Sequence, residues 1–334
     1  MAVSRSTLHR APPAHALSTV AGLALGLLAA SAHADSGTSA EPDIRFTGPL
    51  ATGAPPLPKG LVNVEPYLID TQVRGVYDEH GNRHHVDGVP DDWTLLVPVS
   101  FGLTDRLGVG ATFSATDAST VSGGRKWDLG DTGVSASYLV ARSDWKNSAL
   151  TATIKQNIPS GQADGLHRHR LAQATGSGAA TTQLQLSGQA YFLADRNLRG
   201  RFSVGWRIPG THASIDGDSA YGTPEDFHGR AELHAASQAS VSLEYSFNPE
   251  WVLAADLIYE QDRGTHVRGV ATSSDGVRSA YDQALPMSWR MSVAPAVEYN
   301  FTDDVGLIAG AQVSLDGRNS AAIFAPQVAL NMVF

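Results

Sequence analysis

Arg199, Arg201 and Arg207 share one side of a segment whose other side is Leu198, Phe202, Val204, Trp206 and Ile208. Side chains of an extended chain alternate sides with period 2, so the three guanidinium groups form a basic stripe opposite an apolar face. Like charges on one face repel unless acids or an anion compensate them. Acids with the same inward phase follow as Glu244, Asp256, Glu260 and Glu298, and Lys155, Arg290 and Glu65 join them from other segments. Two chemistries fit this set. Charges fixed on the wall of a pore select solutes through their field. Alternatively, the same residues pair across neighbouring strands and fill a narrow interior.

Other chemistries find less support. Eight of the twelve His (His80, His84, His85, His167, His169, His212, His228 and His266) fall in long polar connections without the carboxylate or thiolate spacing of a metal site. No G-x-S-x-G elbow occurs, and Gly108-x-Gly110 lies on a strand with no helix behind it, so neither hydrolase nor dinucleotide chemistry is expected. The expectation is a protein without catalysis, cofactor or metal. There is no Cys, hence no disulfide. With 24 basic against 33 acidic residues the chain is a poor match for nucleic acid.

The elements that must position the charges are strands. Twelve alternating segments are expected near 61–72, 92–103, 106–115, 130–142, 148–158, 181–194, 198–208, 236–247, 251–261, 287–301, 305–314 and 321–334. Tight polar turns such as Thr104-Asp105-Arg106, Ser143 to Asn147, Asp195-Arg196-Asn197, Asn248-Pro249-Glu250 and Thr302-Asp303-Asp304 alternate with long polar segments at 73–91, 116–129, 159–180, 209–235 and 262–286, and a short last one at 316–320. Short turns at one end and long loops at the other, with an even strand number, are the rhythm of a membrane barrel. The predicted fold is an all-β, transmembrane, antiparallel up-and-down barrel of about twelve strands, with outer-membrane lipid around it.

Each strand shows an apolar face and a polar one. Ala239, Val241, Leu243, Tyr245 and Phe247 oppose Gln238, Ser240, Ser242, Glu244 and Ser246, for example. Trp93, Phe101, Tyr191, Trp206, Phe247, Trp251, Tyr259, Trp289, Tyr299 and Phe301 gather near strand ends, where interfacial rings form a girdle. The last segment puts Phe324, Pro326, Val328, Leu330, Met332 and Phe334 on one face, and a terminal strand closing on an aromatic is the expected signal for the barrel-insertion machinery.

The first 34 residues read as a secretory signal: Arg5, His9 and Arg10, then the apolar centre Leu17 to Ala30, then Ala32-His33-Ala34. Its removal would leave 22 basic against 33 acidic residues. Residues 35–60, rich in Pro, Gly and Ala, read as a periplasmic leader that either hangs free or tucks into the barrel, and residues 61–334 as the barrel itself.

Four stretches, Leu57 to Ile69, Phe101 to Phe113, Asp128 to Val140 with the following Ile158-Pro159-Ser160-Gly161, and Glu298 to Ala321, resemble a family of outer-membrane proteins assigned to the MetA pathway of phenol degradation, many of whose members are called transporters. The resemblance implies an outer-membrane barrel and passage of small, aromatic compounds, and it transfers no binding residues. The expected function is therefore a passive conduit for small organic solutes. A barrel with no through-path, whose loops bind a partner or surface, is the alternative.

Overall fold

The computed structural model describes residues 50, 53–89, 91–143, 147–193, 197–273 and 275–334. The signal segment and most of the leader lie outside the described residues. All described elements are strands, and twelve antiparallel runs close into a ring. In order these are β1 (Val62–Val64) continued by β2 (Tyr67–Tyr77), β4 (Asp92–Gly102), β5 (Leu107–Ser119), β7 (Thr132–Ser143), β8 (Ser148–Ile158), β9 (Thr181–Tyr191), β10 (Leu198–Pro209), β13 (Ala236–Ser246), β14 (Trp251–Asp262), β17 (Ser288–Asn300), β18 (Val305–Arg318) and β19 (Ser320–Val333). The ring shuts where β19 meets the first run, with Phe324 opposite Gln72, Val328 opposite Leu68, and Val333 opposite Asn63. Closure leaves the ring no free edge, and this is how strands satisfy their backbone where no water reaches.

The faces follow the expected alternation. On β19 and at Phe334 just after it, Phe324, Val328 and Phe334 are exposed while Ala325, Gln327, Ala329 and Asn331 are buried; on β13, Val241, Leu243 and Tyr245 are exposed while Ser240, Ser242 and Glu244 are buried. Rings gather toward both rims, as Trp93, Trp206 and Tyr259 at the long-loop end and Phe101, Tyr245, Phe247, Trp251 and Phe301 at the short-turn end. Tyr191 departs from the expected girdle. It shares the inward phase of Gln183 and Ser187 on β9 and is buried, while Phe192 beside it faces out. The outward face allows a direct test. Val241→Arg, at the middle of β13, is expected to cost about 2 to 4 kcal/mol through charge in hydrocarbon. Urea unfolding of the protein in lipid vesicles reads this, and an unshifted midpoint would remove β13 from the lipid.

The long connections hold structure that the alternation did not announce. Strands β3 (Arg83–His84) and β6 (Arg125–Leu129) extend the wall, β6 pairing with the outer half of β5. Strands β11 (Ala213–Asp216), β12 (Phe227–Leu233), β15 (Thr265–Thr272) and β16 (Arg278–Leu285) form a separate four-stranded sheet. Its own small core holds Ile215, Tyr221, Phe227, Leu233 and Val267. The last long-side connection shrinks to Asn319, with φ 49°.

The described part of the leader lies inside the ring. Leu50, 1% exposed, packs among the inward residues Ile69, Ile258, Ala296, Ile308 and Ala325. Gly310 leaves it room, since a Cβ there would stand 2.9 Å from Leu50 Cδ1. Gly53 meets Gln185 and Ser187 on the other side of the lumen, and Pro56 and Leu57 sit over Gly108 and Gly102 near the short-turn end. Twelve strands enclose more space than wall side chains fill, and this segment occupies part of it. The inward faces of β14, β17, β18 and β19 are accordingly more apolar than a wet lumen requires: Ala254, Ile258, Ala294, Ala296 and Ile308 all point in.

Candidate functional site: a polar chamber in the lumen

The lumen divides into two halves. One is packed with the leader and the charges on strands β10 to β17. Arg199 stands opposite Glu244 in register and donates to Glu244 Oε2 through Nε at 3.0 Å and through Nη2. Arg201 reaches Glu244 Oε1 at 3.3 Å, and its Nη1 and Nη2 find no hydrogen-bond partner among the described residues. Arg290 donates twice to Glu260 Oε2, at 3.2 and 2.6 Å. Ser242 donates to Asp256, and Tyr67 donates to Glu65 at 2.7 Å. Glu298 is fully buried on β17, opposite Val252 and Ile308. Arg207 lies apart from the other two arginines, where Nη2 pairs with Asp262 two strands away.

The other half keeps a cavity of about 180 Å³ bounded by the inward faces of β4, β5, β7, β8 and β9. Of the ten charges singled out by alternation, Lys155 and Arg207 line it and the other eight do not. Hydroxyl and amide side chains alternate with small apolar residues along the wall, among them Ser135, Ser137, Thr153, Gln183 and Gln185. Gly53 and Ala54 of the leader bound it on one side. The segment from Gln173 to Ser177 bounds it from the long-loop end, together with Tyr221.

That cover is pinned chiefly by the Asp131 carboxylate, with Asp92 holding its start. Asp131 accepts from Gly161 N at 3.1 Å, Ser177 N at 3.0 Å, Ser177 Oγ at 2.6 Å and Asn157 Nδ2 at 2.9 Å. Gln173 donates to Asp92 at 2.6 Å, and Tyr221 donates to the Ser177 carbonyl. Neither Asp131 nor Asp92 was singled out from sequence, because the first sits at the break between β6 and β7 and the second at a strand start. Asp131→Ala is expected to loosen 159–180 and raise tryptic cleavage at Arg168 and Arg170 on the order of tenfold, the worth of one or two charge-assisted hydrogen bonds. Unchanged cleavage would show that other contacts hold the cover.

Outside the ring, carboxylates are paired with cations. Asp216 takes Arg168 Nη1 at 2.7 Å and His228 Nδ1 at 2.6 Å, and Asp282 takes His266 at 2.6 Å. The Arg168 hydrogen bond holds the Asp216 carboxyl below its ordinary pKa, and His266 does the same for Asp282. His84 and His85 turn to separate partners, Asp78 and Asp87. Among the described residues no three His or carboxylate groups converge on one point.

No family model matches the sequence, and no curated protein matches it. Among solved structures the chain is similar to an outer-membrane channel from Pseudomonas putida F1 at 18% identity, with a TM-score of 0.61 over 83% of this chain and 97% of that one. It also aligns with the NanC porin at 8% identity and a TM-score of 0.46, over 80% and 98% of the two chains. A variant of the TodX monoaromatic hydrocarbon channel aligns at 16% identity and a TM-score of 0.44, over 86% and 95%. The likeness to the Pseudomonas protein is one of fold: both chains close an outer-membrane type of barrel.

Proposed function

We propose that this chain is exported to the outer membrane, inserted there by the barrel-insertion machinery through its last strand ending at Phe334, and serves as a passive channel for small organic solutes. The supporting observation is a wall that is apolar outside and, on β4 to β9, lined inside by hydroxyls and amides around a cavity. Its volume of about 180 Å³ suits a single-ring compound, since a cavity of roughly 150 Å³ holds benzene. The resemblance to the phenol-degradation family points the same way, toward aromatic solutes. Lys155 and Arg207 carry selectivity at the cavity, while the other lumen charges, Arg199, Arg201, Glu244, Asp256, Glu260, Arg290 and Glu298, set the field around the filled half.

The seat of Leu50 favours a second reading, a barrel without a through-path whose outer sheet binds a partner. Planar-bilayer recording of purified, folded protein separates the two. Solute-dependent current supports the channel, and its absence with the leader both present and removed supports the second reading.

A further inference from the structure

The cavity wall carries a row of donors that the charge pattern alone does not pick out. Lys155 on β8 is in register with Gln183 on β9, and Gln183 with Arg207 on β10. All three line the cavity. Neighbouring strands lie about 4.8 Å apart, so the row spans on the order of 10 Å. Gln183 is 94% buried, yet its Nε2 has no hydrogen-bond partner among the described residues. Arg207 gives Nη2 to Asp262, and its Nε is likewise without a partner. A buried donor without an acceptor costs free energy, so two on adjacent strands of one cavity call for an acceptor from outside the chain.

Resting on the channel reading, we propose that Lys155, Gln183 and Arg207 form a binding site for the carboxylate of a small, single-ring organic acid. The ammonium of Lys155 supplies charge, and Gln183 Nε2 and Arg207 Nε supply directed hydrogen bonds. Such charge-assisted contacts are about twice as strong as neutral ones. Asp131 and Asp92, the two acids that share the cavity, accept hydrogen bonds from donors of the cover. Hydroxyls of Ser135, Ser137 and Thr153 on the same wall suit polar substituents on a ring. Gly205 leaves the amide its room, as a Cβ there would stand 2.9 Å from Gln183 Nε2.

The probes are benzoate and benzyl alcohol, one ring each, titrated calorimetrically into the folded full chain in detergent. Benzoate is expected to bind about tenfold more tightly, the worth of one charge-assisted hydrogen bond. Gln183→Leu and Lys155→Gln should each remove most of that preference and leave benzyl alcohol unchanged. Equal affinity for the two probes, or unchanged benzoate binding in both variants, would overturn the site. Should either variant fail to fold, Gln183→Glu replaces it: it keeps the shape, sets a like charge against the carboxylate, and is expected to abolish the preference. Retained preference in that variant counts against the site. Because binding is read without current, a chain that binds benzoate but never conducts keeps the site and loses the channel. A chain that conducts with no benzoate preference loses only the site.

Discussion

Removing residues 35–58 is expected to raise single-channel conductance several-fold while leaving the folded barrel intact. The segment is accommodated by glycines on the wall, Gly310 beside Leu50, Gly108 under Pro56 and Gly102 under the carbonyls of Leu57 and Pro58, and by its own Gly53 against Gln185 and Ser187. Gly60, at φ 89°, turns the chain from the wall into the lumen, a backbone state that costs glycine little, and its N–H is held by the Gly102 carbonyl at 2.8 Å. The ring's strand pairing begins at Val62, outside the deleted segment. Burial of Leu50 is worth about 2 kcal/mol, enough to keep the segment seated most of the time and little enough to release it. Leu50→Asp should therefore reproduce part of the gain as brief openings. Conductance unchanged by the deletion would show that the filled half of the lumen is blocked by wall side chains instead.

Glu244→Ala is expected to destabilise the barrel by about 3 to 5 kcal/mol, because it removes a carboxylate that two buried guanidinium groups share. Arg199 gives Glu244 two hydrogen bonds, and Arg201, fully buried beside it, has Glu244 as its ion-pair partner at 3.3 Å. With no carboxylate there, both guanidinium groups stay buried in mutual repulsion. The triple replacement Arg199→Met, Arg201→Met, Glu244→Leu removes all the charges together and should restore much of the loss, since an apolar substitute of similar size often matches a buried ion pair. Loss of heat-modifiable gel mobility with rising urea measures both variants. A Glu244→Ala barrel as stable as the parent would mean that water or another acid compensates the pair.

The ring was legible because hydrocarbon outside and a crowded interior impose strict period 2 on every spanning strand. Even the phase of Arg199, Glu244 and Glu298 followed from it. The outer sheet was not legible: β12 and β16 are short, face no lipid, and carry Arg230, Glu232, Arg278 and Asp282 as a solvated loop would. Leu50 gave no sign of its burial, because a Pro- and Gly-rich segment has no periodicity to read. In the chamber, Lys155 and Arg207 stood out by charge, while Gln183 shared their inward phase without any mark of its own. Which inward residues border open space and which are packed depends on where the leader and the 159–180 segment fold, and contacts so distant in sequence leave no local pattern.

The central claim, a wall greasy on one side and solute-bearing on the other, is tested most directly by two adjacent cysteines in this cysteine-free chain. Ser137 lines the chamber and Tyr138 faces outward, 48% exposed. In vesicles, Ser137→Cys should react with a small, charged, water-soluble methanethiosulfonate, and Tyr138→Cys only with a lipid-soluble maleimide. Reaction of Tyr138→Cys with the charged reagent while Ser137→Cys stays inert would contradict the account.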